Sequence, residues 1–264
     1  MLVLGGAGDA RALINAMAIQ AMPVRVTLSL AGRTRDPGAQ YDMDIDVAVR
    51  TGGYGGAGGL AAFIRKQAVV AMINATHPFA AQMANNAAEA ARLTGIPLLR
   101  LQRSAWLPVT GDHWIDVADM REAVAAIGAA PRRVFLAIGR QQLAPFMAAQ
   151  QHHYLVRTID PPDPAISLSN AIYVAARGPF SLNDELGQLR EHQIELLVTK
   201  NSGGAATYAK IEAARALGLP VVMVGRPAAP AVTETADVAV ALRFVATACR
   251  LKQAHDGAPA ERGE

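Results

Sequence analysis

Glu89-Ala-Ala-Arg-Leu-Thr-Gly-Ile-Pro-Leu-Leu-Arg-Leu-Gln-Arg103 returns later in the chain as Glu212-Ala-Ala-Arg-Ala-Leu-Gly-Leu-Pro-Val-Val-Met-Val-Gly-Arg226, at an offset of 123 residues. Each stretch reads as a helix stopped by glycine, a proline that cannot continue it, a short apolar strand and a closing arginine. A helix feeding a buried strand is half of a βαβ unit, so two copies predict two parallel-sheet modules and an internal duplication. Carried backwards, the same offset pairs Thr76 with Thr199, His77 with Lys200 and Gly55 with Gly178.

Working outward, short apolar runs alternate with helical stretches along most of the chain. Strands are expected at Leu2 to Leu4, Val24 to Ala31, Ile45 to Val49, Val69 to Ala75 and Pro97 to Leu101. A second set is expected at Val134 to Ile138, Tyr154 to Ile159, Ile172 to Ala176, Glu195 to Thr199 and Val221 to Val224. Helices are expected at Ala10 to Met22, Phe79 to Thr94, Leu182 to His192, Ala205 to Leu217 and Ala236 to Lys252. The fold class is therefore α/β. Two parallel-sheet domains are expected at 1–104 and 105–253, with a linker around Gln102 to Asp112 and a disordered polar tail at 254–264. Strand carboxyl ends are where open parallel sheets bind ligands, so two such edges facing each other predict a cleft.

Composition agrees. Hydrophobic residues make up 52% of the 264 and aromatics only 5%, which suits a helix-covered sheet built from Ala, Val, Leu, Ile and Met. The net charge of +3 comes from scattered arginines without a basic run, which argues against a nucleic-acid surface and suits a small polyanion in a cleft. Cys249 is the sole cysteine, so no intrachain disulfide or cysteine metal cage is expected. No apolar run approaches the roughly 20 residues of a membrane helix, no secretory signal is read at Met1, and a cytoplasmic location is expected.

Chemistry concentrates at the strand ends. Gly5-Gly6-Ala7-Gly8-Asp9-Ala10-Arg11 joins the opening strand to a helix, the context of a dinucleotide-binding turn. Gly6 and Gly8 serve the tight turn and the close approach of a pyrophosphate, while Arg11 stands where a third glycine would be. A ligand-free strand-to-helix turn has the same composition. The second strand ends at Gly32-Arg33, where a carboxylate would select NAD; an arginine pairs instead with the 2′-phosphate of NADP, unless it is a solvated loop residue. Thr51 to Gly59 places six glycines in nine positions, Gly53, Tyr54 and Gly55 among them, as an amide cradle or a plain connector. Asn74-Ala-Thr-His-Pro-Phe79 and Thr199-Lys-Asn-Ser-Gly-Gly204 set hydroxyls and ionisable groups where strands give way to helices, as anion sites or as simple caps. The histidines lack metal-ligand spacing, His152 and His153 point to opposite faces of a strand, and no serine occupies a nucleophile elbow, so metal sites and triad hydrolysis are not expected.

Taken in order, Gly5-Gly6 with Asp9-Ala10-Arg11, Gly53-Tyr-Gly-Gly56, Ala75-Thr-His-Pro-Phe79, Arg177-Gly-Pro-Phe180, Thr199-Lys200 with Ser202-Gly-Gly204, and Arg226-Pro227 resemble the precorrin-6A reductase family of cobalamin biosynthesis. The resemblance implies two Rossmann-like domains and NADPH-dependent hydride transfer to precorrin-6A, a polycarboxylate tetrapyrrole. It assigns Gly5, Gly6, Ala7, Gly8, Arg33, Gly53, Tyr54, Gly55 and Thr76 to the cofactor. It assigns His77, Arg177, Gly178, Lys200, Asn201 and Ser202 to the substrate, with His77 and Lys200 as titratable candidates for the catalytic proton. The chain departs from the family at Asn74 and Asn201, where acids are common, so a hydrogen-bonding role fits there better than proton transfer. Two other readings of such halves are a nucleotide-dependent transferase and a non-catalytic NADP(H) sensor.

Overall fold

The computed structural model describes residues 1–6, 8–32, 47–160, 166 and 168–256. In chain order these form β1 (Leu2–Leu4), α1 (Gly8–Ile19), β2 (Val26–Leu30), β3 (Val47–Thr51), α2 (Gly56–Lys66), β4 (Met72–Asn74), α3 (Ala81–Thr94) and β5 (Leu98–Leu101). There follow β6 (Trp114–Val117), α4 (Met120–Ile127), β7 (Arg133–Ala137), two short 3₁₀ turns (Arg140–Gln142, Ala144–Ala148), β8 (His153–Thr158) and β9 (Ala171–Ala175). The chain closes with α5 (Leu182–Glu191), β10 (Leu196–Lys200), α6 (Ala209–Ala216), β11 (Val221–Val224), β12 (Glu234–Thr235) and α7 (Val238–Asp256).

Two compact units result, one of Met1–Arg103 with Ala228–Glu264 and one of Ser104–Pro227. The first unit's sheet runs β12-β5-β4-β1-β2-β3, and every pairing in it is parallel. The period-two alternation of strand side chains divides its core between two faces. Val3 and Ile73 pack with Leu13, Ile14 and Met17 of α1 and Leu242 and Val245 of α7. Leu2, Leu4 and Met72 pack with Leu60 and Ile64 of α2 and Ala87 and Ala90 of α3. Alanine spacing lets α3 lie close to the sheet, and Gly95 stops it in the left-handed conformation at φ 72°, donating to Ala91 O.

The second unit's sheet runs β6-β11-β10-β7-β8-β9, again all parallel. Phe135, Leu155, Leu197 and Met223 form one apolar face with Leu189 of α5 and Ile211 and Ala214 of α6. The two sheets share one connectivity: β5-β4-β1-β2-β3 matches β11-β10-β7-β8-β9. Their sixth strands are exchanged. β6 follows β5 in the chain yet completes the second sheet, and β12 follows β11 yet completes the first.

This exchange corrects the expected boundary of the second domain, because the chain after Pro227 returns to the first unit. Arg100 N–H donates to Thr233 O at 2.9 Å, Gln102 N–H donates to Thr235 O at 2.8 Å, and α7 buries its apolar face against α1. The helix also continues through Asp256, so Ala254 to Asp256 belong to it, while 257–264 lie outside the described residues. Ile45 and Asp46, at the start of the third expected strand, lie outside them too.

Sheet register refines the internal repeat. Leu98 pairs with Met72, whereas Val221 pairs with Leu197, so β4 and β10 are related by an offset of 125 while β5 and β11 keep 123. A two-residue shift preserves the face but changes the partner. Asn74 therefore corresponds to Thr199 and Thr76 to Asn201, in place of the Thr76 with Thr199 and His77 with Lys200 pairing read from the sequence.

Candidate functional site

In the first unit, the β1–α1 turn stands at the carboxyl end of the central strands. Gly5 is a packing requirement, since a Cβ there would lie 2.7 Å from the Leu28 side chain and 3.1 Å from Ala10 Cβ. Gly6 has φ +121°, and among the described residues a Cβ on Gly6 or on Gly8 would meet no atom within 4 Å. Asp9 in the first turn of α1 is ion-paired with Arg103 at 2.7 Å, which neutralises the carboxylate beside the helix N-terminus. Ala7 and Arg33 lie outside the described residues.

The glycine-rich loop between β3 and α2 is held by Arg50, which the sequence reading did not single out. Its guanidinium donates to Gly52 O at 2.6 Å and Gly53 O at 2.7 Å, and stacks 3.9 Å from the Tyr54 ring centroid. Tyr54 in turn meets Phe63 of α2 edge-on at 5.2 Å. Burial raises the Tyr54 phenol above its usual range, opposed by Ser29 and Arg50. Gly55 caps α2 in the left-handed region at φ 76° and, having no side chain, supplies no acceptor to the first amides of the helix. A Cβ on Gly59 would overlap the Tyr54 carbonyl, so this helical position admits only glycine while the loop keeps its path.

Beyond β4, Thr76 is fixed at three atoms. Its N–H and hydroxyl donate to Asn74 Oδ1 at 3.1 and 2.8 Å, and its carbonyl accepts from Gln102 Nε2 at 2.7 Å. Asn74, Thr76 and Gln102 are all buried. The amide of Asn74 thus serves as an acceptor that sets the loop. Next along the chain, His77 Nδ1 accepts from Phe79 N–H at 3.2 Å, which places the proton of the neutral ring on Nε2.

In the second unit, Lys200 ends β10 beside the carboxyl end of β7, and a Cβ on Gly139 would lie 4.0 Å from its Nζ. Burial lowers the Lys200 ammonium to about 8. Asn201 makes a reciprocal amide pair with Trp106: its Oδ1 accepts from Trp106 N–H at 2.8 Å, and its Nδ2 donates to Trp106 O at 2.9 Å. Both ends of the amide are used, which a carboxylate cannot reproduce. Trp106 Nε1 also donates to Gly204 O at 2.8 Å, and Arg226 donates to Asn201 O and Ser202 O at 3.0 and 3.2 Å. Together these bonds set the path of the Lys200 to Gly204 loop. On the neighbouring loop Arg177 is exposed, and Gly178 packs against Ala206 O and the Phe180 ring.

The structure thus brings Gly5, Gly6, Gly8, Gly53 to Gly55, Thr76 and His77 to strand ends of one sheet, and Arg177, Gly178 and Lys200 to Ser202 to strand ends of the other. Arg50, Gln102, Arg103, Trp106 and Arg226 support them. Arg103 and Arg226 close the two copies of the internal echo, and Arg226 belongs to the family resemblance, whereas Arg50, Gln102 and Trp106 gave no signal in the sequence that marked them as supports. Among the described residues no group of three His, Cys, Asp or Glu side chains is arranged to hold a metal ion, and no helix is long and apolar enough to cross a membrane.

The model of a family described as Precorrin-6x reductase CbiJ/CobK matches residues 1–246. A precorrin-6A reductase of Rhodococcus erythropolis is 48% identical over 251 residues, 95% of this chain and 98% of that protein. A cobalt-precorrin-6A reductase of Priestia megaterium is 28% identical over 237 residues, 86% of this chain and 90% of that protein. A solved structure of CobK precorrin-6A reductase matches with a TM-score of 0.86 at 43% identity, covering 94% of this chain and 96% of that one.

Proposed function

This chain belongs to the precorrin-6x reductase family, and from that premise we propose that it reduces precorrin-6A to precorrin-6B with NADPH in cobalamin biosynthesis. Precorrin-6A is favoured over its cobalt complex because a relative named for the metal-free substrate is 48% identical while cobalt-named ones are 28% to 31% identical. The observation that carries the cofactor reading is the bare glycine turn between β1 and α1. Gly6 adopts a conformation that favours glycine, and among the described residues neither it nor Gly8 has an atom within 4 Å of where a Cβ would stand, a cradle that fits a pyrophosphate against the α1 amides.

Gly5, Gly6, Ala7 and Gly8 would hold the pyrophosphate, Arg33 the 2′-phosphate, and Gly53, Tyr54, Gly55 and Thr76 the remainder of the cofactor. Bound NADPH supplies the hydride. The chain's own residues align, bind charge and exclude water. Arg177 and Lys200 bind carboxylates of the macrocycle, the exposed guanidinium by a bidentate pair and the partly buried ammonium as a point charge. Asn201 and Ser202 shape the loop that presents Lys200. His77 presents Nε2–H as a donor, and His77 and Lys200 are the groups able to deliver the accompanying proton.

Anaerobic incubation with precorrin-6A and NADPH tests the reading. Nicotinamide absorbance should fall in step with a product heavier by two hydrogens. A folded sample that produces neither change overturns it.

A further inference from the structure

The Arg177 turn carries a feature that the proposed reaction does not require. Beneath it lies a buried ion pair, Arg157 of β8 with Glu185 of α5, at 2.8 Å and with side-chain exposures of 9% and 0%. The Arg157 guanidinium lies between two aromatic rings, 3.9 Å from the Phe180 centroid and 4.8 Å from that of Phe135. Phe135 belongs to the floor of the unit's core, whereas Phe180 is the last residue of the Arg177-Gly-Pro-Phe turn. Phe180 N–H in turn donates to Ala206 O at 3.4 Å, and a Cβ on Gly178 would lie 3.1 Å from that same carbonyl. The turn is therefore pressed between the guanidinium and the segment that follows the Lys200 to Gly204 loop.

A buried ion pair is weak evidence for stability, because desolvating both charges offsets most of their attraction. Among the described residues only Oε1 of Glu185 is engaged, and its buried Oε2 has no hydrogen-bond partner there, so the pair is not optimised for stability. What it does provide is a flat, rigid, oriented surface for Phe180. A guanidinium offers this and an ammonium does not.

We propose that Arg157 and Glu185 are positioning residues for substrate binding: Glu185 orients the Arg157 plane, Arg157 fixes Phe180, and Phe180 sets where Arg177 presents its guanidinium to a carboxylate of the macrocycle. The inference rests on the reading of Arg177 as a substrate residue. A wrongly placed Arg177 weakens binding of a polycarboxylate without touching the chemistry, so the effect belongs to KM and leaves kcat little changed.

The decisive variant is the double substitution Arg157→Met with Glu185→Leu, which removes both charges while keeping approximate volume, so the fold is retained. It is compared with Arg157→Lys and with Arg177→Ala, all as full-length enzyme, by thermal melting and by steady-state kinetics with precorrin-6A and NADPH. Expected is a melting temperature at or above that of the parent, a KM for precorrin-6A raised about tenfold or more, and kcat within about twofold. Arg157→Lys should raise KM as well, since it keeps the charge and loses the plane. A double variant that melts normally and keeps the parental KM, while Arg177→Ala raises it, overturns the positioning role and leaves the substrate reading of Arg177 intact. If Arg177→Ala itself leaves KM unchanged, the substrate reading fails, and the positioning role fails with it. Should the double variant unfold, Arg157→Lys decides alone, and a parental KM there also overturns the proposal.

Discussion

Lys200 sits at a strand end where burial brings its pKa from 10.5 down to about 8. The folded value lies below the unfolded one, so the group adds stability above about pH 10.5 and loses that contribution as pH falls through the interval to 8. Near neutrality the charged ammonium detracts, by roughly 3 kcal/mol on the ordinary conversion of pKa shifts. A bound carboxylate reverses this cost. Lys200→Met should therefore show a KM for precorrin-6A raised about tenfold or more. In the parent, KM should climb as pH rises through 8 and the ammonium is lost, and in Lys200→Met that limb should be flat. Asn201 makes a separate prediction. Asn201→Asp retains the acceptor for Trp106 N–H but turns a second oxygen on Trp106 O, so denaturant unfolding should show a loss of about 1–3 kcal/mol. The sequence already pointed to Lys200 and to the unusual amide at 201. It did not point to Trp106 as the partner, because that bond joins residues 95 apart in the chain.

Among elements, the glycine loop before α2 shows how a helix can constrain the loop that leads into it. Gly59 is inside the helix, where glycine is ordinarily unfavourable, and the Tyr54 carbonyl occupies the space its side chain would need. Gly59→Ala gains helix propensity but pushes the Gly53 to Gly55 loop off its path. NADPH affinity, followed by nicotinamide fluorescence, should fall about tenfold, and stability should fall by about 1–3 kcal/mol in place of the gain expected at an unconstrained site. Ten of the strands were legible as short, largely apolar runs, eight of them mostly buried and the edge strands β3 and β9 partly exposed, and β1 and β11 coincide with their expected bounds. The edge strands β6 and β12 were not legible. Trp114 to Val117 is a short run broken by Asp116 and partly exposed throughout, and Glu234–Thr235 has two polar residues whose pairing partner lies more than a hundred positions earlier. No local pattern encodes a strand that exists only because a distant edge accepts it.

At the scale of the molecule, the exchanged strands make the first unit dependent on the chain's end. Arg100, 7% exposed, pairs with Glu234 at 2.7 Å beside the β5–β12 ladder, and Leu242 and Val245 fill one face of the core. Removing 228–264 strips away both, so the shortened chain should lose NADPH binding and show a broadened or absent melting transition for the first unit. A truncated protein that binds NADPH normally would show that β12 and α7 are accessories. The internal echo disclosed the duplicated architecture but not the exchange, because β6 and β12 follow equivalent strands in either arrangement and the sequence is silent on which sheet each will join.

The exchange also dictates an order of birth. On the ribosome, all six strands of the second sheet emerge by Val224, within one contiguous stretch of chain. The first sheet has five of its strands by Leu101, but must wait for Glu234–Thr235 and for the helix behind them. The unit that opens the chain is thus the last to be finished, and throughout synthesis of the second it carries an open β5 edge and an uncovered apolar stripe on α1. A nascent protein in that condition presents the kind of surface that chaperones hold.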